Sequence, residues 1–258
     1  MTRSFVLCMI VIVCYGVNAQ NPNCKSGQQF ISLQGCVNCP TGTFSIGPNA
    51  TSCTPCSAGT FCSSAAGLCG SCAACSAGTF SGAQASACTT CSAGTFSGAQ
   101  AATCMACAAG KSSGAGASSC GTCPAATYSS AGASLCTACP AGTFGIETGQ
   151  SSCVACFAGY ACPTSGCNPF TPLPSCMLSC HPGHYSNAGA SVCSACPPGS
   201  DTSVSAYDSS SCTACPTGTY GPASGLTHCT ACPTCPPTCF ATYTAGNTNA
   251  AQCCLCPP

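Results

Sequence analysis

The chain has 258 residues, of which 36 are cysteine, none is tryptophan, and only 2% are charged, with a formal net charge of zero. Such a composition has no basic surface for nucleic acid and no acidic cluster for calcium. Its apolar content is mostly alanine and cysteine, too small to build a conventional core, so covalent bridges must take over that role.

The first residues, "MTRSFVLCMIVIVCYGVNAQ", combine Arg3, an apolar run from Phe5 to Tyr15, and small residues before Gln20. This is the pattern of a secretory signal peptide over residues 1–19, cut after Ala19. The cut removes Cys8 and Cys14 and leaves 34 cysteines, an even number that can all pair in an oxidising compartment. The next segment, 20–55, is read as an N-terminal repeat region. Residues 56–75, with Cys62, Cys69 and Cys72, form an irregular cysteine-rich module.

From there the chain becomes periodic. Cys75, Cys91, Cys107, Cys123 and Cys139 stand sixteen residues apart, and residues 76–156 are a regular tandem array. Each unit runs Cys, Pro or Ser, a small residue, Gly, Thr, then an aromatic (Phe44, Phe61, Phe80, Phe96, Tyr128, Phe144, Tyr185, Tyr220), followed by a Ser/Gly/Ala-rich return to the next Cys-x-x-Cys. "CPAG" and "CPTG" place Pro second and Gly fourth, which suits a type I turn, and Thr-Phe-Ser favours a strand of two or three residues. Glycine is too frequent for helices. Each unit is expected to contact mainly its neighbours, with its aromatic over the next disulfide. Residues 157–180 are an irregular joint with the proline-containing "NPFTPLPS", 181–232 a second repeat array, and 233–258 a C-terminal cysteine-rich cap. The fold class is therefore small, disulfide-rich and β-poor: an elongated rod of tandem repeats with no conventional core, bent near Pro169 to Pro174.

Three uses of paired cysteines compete. A zinc array would need second-shell polar groups and histidines, and only His181, His184 and His228 exist. The stretch Cys180 to His184, "CHPGH", is the one place a metal could lodge, although an exposed turn describes it as well. A redox site needs an activated thiolate with neighbours that lower its pKa. Neither catalytic residues nor metal ligands nor a cofactor are assigned, and the chain is not expected to be an enzyme. The structural use pairs each unit internally: Cys39 with Cys53, Cys75 with Cys88, Cys91 with Cys104, Cys107 with Cys120, Cys123 with Cys136, Cys139 with Cys153, Cys180 with Cys193, Cys196 with Cys212, and Cys215 with Cys229. Bridges interleaved between units remain open at this point, because sequence does not fix connectivity. One sequon, Asn49-Ala50-Thr51, marks Asn49 for N-glycosylation.

The stretches "CTACPAGTFGIETGQSSCVAC" (136–156), "CGTCPAATYSSAGASLCTAC" (120–139) and "CHPGHYSNAGASVCSACPPGS" (180–200) resemble the cysteine-rich ephrin-receptor-like repeats, also called GCC2/GCC3 repeats. The likeness runs from about Cys36 to Cys232 and implies an extracellular, disulfide-laddered rod. The chain is also similar to cysteine-rich surface antigens of unicellular eukaryotes. Its last residues, "AQCCLCPP", give no hydrophobic tail, so no transmembrane anchor is expected. The functional expectation is a secreted structural, surface-coat or extracellular-matrix component. The alternative is a secreted protein-binding module whose irregular segment 156–180 presents the recognition surface. Partners would be further copies of the chain or other extracellular proteins, and no nucleic acid.

Overall fold

The computed structural model describes residues 23–32, 34–63, 68–169, 176–202, 207–235, 240–241 and 244–255. The segment expected to be a signal peptide, the prolines at 172 and 174, Cys8, Cys14, Cys239 and Cys256 lie outside the described residues. Two bodies are distinguished, one of residues Met1–Ala106 with Ser113–Cys120 and one of Cys107–Ser112 with Gly121–Pro258.

Both bodies are assembled from one small unit. Among the described residues there are thirteen antiparallel sheets, and each has only two strands, so no sheet contributes a buried face. Apart from a four-residue hairpin, Gln28–Ile31 with Gly35–Asn38, the strands are two residues long. Thr79–Phe80 against Thr89–Thr90 is typical, with Phe80 opposite Thr89. Among the described residues helix is confined to one 3₁₀ turn, Ala250–Cys253, whose N-cap Asn249 and Gln252 form a capping box. Apart from Ala126, Phe144 and Ala161, every apolar side chain buried among the described residues is a cysteine. The fold is thus disulfide-rich, β-poor and repetitive, with cystine in place of a core.

The turn that opens each unit differs from the expected type I turn. Its hydrogen bond runs from the residue after the cysteine: Thr43 N donates to Pro40 O at 3.1 Å, and Thr79 N to Ser76 O at 3.1 Å. That shift by one residue puts glycine in the third position, where Gly78 has φ +84°, the signature of a type II turn. The threonine then closes the turn a second time, Thr79 Oγ1 donating to Ser76 O at 2.7 Å. Ala126 takes the same position at φ +68° with a side chain, a conformation that costs about 1–2 kcal/mol.

Successive units are joined through main chain. In the first body Gly78 N donates to Ser97 O, Ser81 N to Ala101 O, and Gln100 N to Cys75 O, all between 2.9 and 3.2 Å. The second body repeats the pattern with Gly110 N to Ser129 O and Gly132 N to Cys107 O. The serine after each aromatic strengthens the joint. Ser81, Ser97 and Ser129 are buried, and their hydroxyls donate to the carbonyls of Thr60, Thr79 and Lys111 one unit back at 2.9–3.0 Å. A buried hydroxyl so placed satisfies a carbonyl that water cannot reach.

Contacts also reach past the neighbouring unit, contrary to the nearest-neighbour expectation. A β-carbon added to Gly78 would fall on the carbonyl oxygen of Gly116, two units further on, and one on Gly110 would fall on that of Gly149. The main chain closes to this distance only where no side chain intervenes.

Candidate interaction surface

The structure joins Cys39 to Cys53, Cys75 to Cys88, Cys91 to Cys104, Cys123 to Cys136, Cys139 to Cys153, Cys180 to Cys193, Cys196 to Cys212, and Cys215 to Cys229. Cys107 and Cys120 are each disulfide-bonded. The opening cysteine of each of these bridges is buried, Cys75, Cys91 and Cys123 at 1% exposure or less. Side chains five residues past that cysteine reach the following bridge. In the second body Ser112 Oγ lies 3.3 Å from Cys136 Sγ, and Asp201 Oδ2 accepts from Cys229 N at 2.9 Å. The aromatics at this position are half-buried, except Phe144, which is buried, and Phe80 bridges to Ala101 of the next unit.

The regular ladder offers little for a partner to grip: the residues between paired cysteines, such as Thr89–Thr90 and Thr137–Ala138, are exposed and small. The irregular segment differs. Cys156 closes on Cys162 and Cys167 on Cys176, two short loops where a regular unit has one longer one. Strand Tyr160–Ala161 consequently pairs with Leu178–Ser179 across a much longer insertion. Phe144, 3% exposed, packs with Cys156, Cys162, Cys167, Cys176 and Met177 into the one apolar cluster larger than a single bridge among the described residues.

Two clefts border that cluster and share Met177. One, of about 410 Å³, is lined by Phe144, Ile146, Val154, Phe157, Pro169 and Met177 and has no polar wall. The ring of Phe157, 58% exposed, stands 5.5 Å from that of Phe144. The second cleft, of about 560 Å³, lies among Pro163, Met177, Leu178, His181, His184 and Val192. Val192 and Leu178 are 67% and 42% exposed. Two neighbouring clefts with exposed apolar side chains in their walls are a usual mark of a contact surface.

His181 and His184 belong to the turn of their unit, His184 N donating to His181 O at 3.0 Å. His181 meets Tyr207 edge-on at 5.9 Å. Cys180 is bonded to Cys193, so "CHPGH" supplies no thiolate, and no group of three or more potential metal ligands occurs among the described residues. His184 Nδ1 is buried in the second cleft without a hydrogen-bond partner.

Tyr160, whose strand borders this surface, donates from its hydroxyl to Asp208 Oδ2 at 2.8 Å. That hydrogen bond first, then desolvation of the phenolate and the nearby carboxylate charge, hold the phenol above its usual value of 10.0. A phenol harder to ionise in the folded state stabilises fully below pH 10, and the contribution is lost as pH rises through the folded value. In an alkaline absorbance titration Tyr160 should ionise late, and Tyr160→Phe should remove that late component; an unchanged curve would contradict the contact.

Serial two-stranded units, each closed by its own cystine and joined to the next by main chain, define a cysteine-rich repeat protein of the extracellular type. Residues 126–167 match the family described as "Tyrosine-protein kinase ephrin type A/B receptor-like", so the chain carries ephrin-receptor-like repeats. This family is a non-catalytic type of extracellular interaction module. No curated protein matches the sequence. No helix among the described residues is long and apolar enough to cross a membrane.

Sequence reasoning missed three features: the serine ladder, the contact two units away, and the clefts around Met177. The first had a signal in the recurrence of serine at 45, 81, 97, 113, 129 and 186. The last lies in segment 156–180, which the sequence offered as a recognition surface, but the packing of Met177 against Phe144 had no signal, because Met177 stands alone in a segment without period.

Proposed function

We propose that the chain is a secreted structural component, a subunit of a surface coat or extracellular matrix. The observation that carries this reading is the interface between units: it consists of main chain and buried serine, carries no charge, and is repeated with little variation. Surfaces of this kind, on a chain of zero formal charge, meet with little electrostatic repulsion or desolvation cost. The protein purified from secretion medium, imaged across concentrations and ionic strengths, should form filaments or lattices. Persistence as a monomer at high concentration, also after removal of carbohydrate, would overturn this reading.

The apolar clefts beside Phe157 and Met177 favour a second reading, a protein-binding module. In that case Phe157 is the anchor, as exposed aromatics in apolar surroundings often are. Phe157→Ala would then abolish capture of the partner while leaving the monomer folded.

A further inference from the structure

The first unit of the ladder poses a problem that the others do not. In later units the amide of the opening cysteine donates to a carbonyl of the unit before, as Cys39 N does to Gly27 O, Cys56 N to Gly42 O and Cys75 N to Gly59 O, at 2.8–2.9 Å. Cys24 opens the first unit and is fully buried, and no earlier unit exists among the described residues to supply that carbonyl. Asn49 supplies it. Its side-chain Oδ1 accepts from Cys24 N at 3.1 Å, while its own amide donates to Cys24 O at 3.1 Å. The second bond recurs along the ladder, as where Gln84 N donates to Cys56 O and Gln100 N to Cys75 O. The first is an addition, and it places an acceptor on Cys24 N where a carbonyl of the preceding unit serves in the units that follow.

Asn49 is also the asparagine of the sequon Asn49-Ala50-Thr51, and no other Asn-x-Ser/Thr occurs in the chain. The residue is half-exposed, its φ is +65°, and Thr51 is exposed. Nδ2 is in no hydrogen bond, and it is not among the buried polar atoms. An N-linked sugar replaces one hydrogen of Nδ2 and leaves the amide a carbonyl acceptor and one N–H. The atom that holds the ladder and the atom that would hold the sugar are therefore different ends of one amide.

We propose that Asn49 is N-glycosylated and that the glycosylated amide caps the N-terminal end of the repeat ladder through Oδ1. The proposal rests on the extracellular reading, since the sugar is added only on the secretory route. Carbohydrate at this position also crowds Ile46, 77% exposed three residues earlier, and obstructs a second chain from adding to that end.

The full-length chain expressed in a eukaryotic secretory host tests it. Peptide-N-glycosidase in ¹⁸O water should mark Asn49 in the secreted protein, and Thr51→Ala should lower the intact mass by one glycan. Hydrogen exchange then separates the two roles. Thr51→Ala and Asn49→Asp keep an acceptor, so the Cys24 amide should stay protected; Asn49→Ala should speed its exchange roughly tenfold, the scale of one lost buried hydrogen bond. A secreted protein with unmodified Asn49 overturns the glycosylation, and equal Cys24 exchange in all variants overturns the cap. A chain retained in the cell without cleavage overturns the extracellular reading instead.

Discussion

Gly78→Ala should destabilise the protein by about 3 kcal/mol, whereas Gly82→Ala, four residues away, should leave it within about 1 kcal/mol of the parent. Two costs add at Gly78. A β-carbon at φ +84° costs about 1–2 kcal/mol. Displacing the Gly116 carbonyl on which it would land adds overpacking of about 1–3 kcal/mol, because the obstacle is main chain and cannot rotate away. The same shift strains Gly78 N to Ser97 O and Cys91 N to Gly78 O. At Gly82 nothing stands within 4 Å of a β-carbon and φ is not positive, so alanine only restricts the unfolded chain. Denaturant unfolding of the oxidised proteins measures both. Equal midpoints for the two variants would show that units two apart do not touch.

Reduction should have the larger effect. The bridge between Cys91 and Cys104 spans 13 residues, and closing such a loop contributes about 3 kcal/mol through the unfolded chain. Cys91→Ser with Cys104→Ser should cost that much in one unit. Full reduction removes every closure, and the buried apolar side chains left behind among the described residues are cysteines, Phe144 and two alanines, too few to hold a fold. Limited proteolysis before and after a reductant should pass from slow nicking near the irregular segments to complete digestion. A reduced, alkylated chain that kept its protease resistance would mean that hydrogen bonds alone carry the structure.

The unit itself was legible because its determinants are local: the Cys-x-x-Cys spacing, the glycine, and Thr-Phe-Ser are all within one loop. The irregular pairings, Cys62 with Cys69, Cys156 with Cys162 and Cys167 with Cys176, followed no spacing rule. The turn was placed one residue early because Pro-x-Gly satisfies type I and type II alike until the position of the hydrogen bond is known. Contact across two units depends on how far each unit rotates against the last, and no residue in the repeat encodes that rotation visibly. Asn49 illustrates the limit most clearly: its sequon is plain in the sequence, but its bond to Cys24 bridges 25 residues.

The main-chain joints between units have an evolutionary consequence. Each unit presents on its far side the donors and acceptors that its near side requires, so a copied stretch of sixteen residues, inserted in frame, finds its partners without further mutation. The near-identity of residues 75–88 and 91–104 is what such a duplication leaves behind. Glycines such as Gly78 and Gly110 resist drift afterwards, because those copies must also admit the carbonyl of the unit two places on, whereas the loop residues between them are free to diverge. Length in this protein is therefore a heritable variable that changes in whole steps.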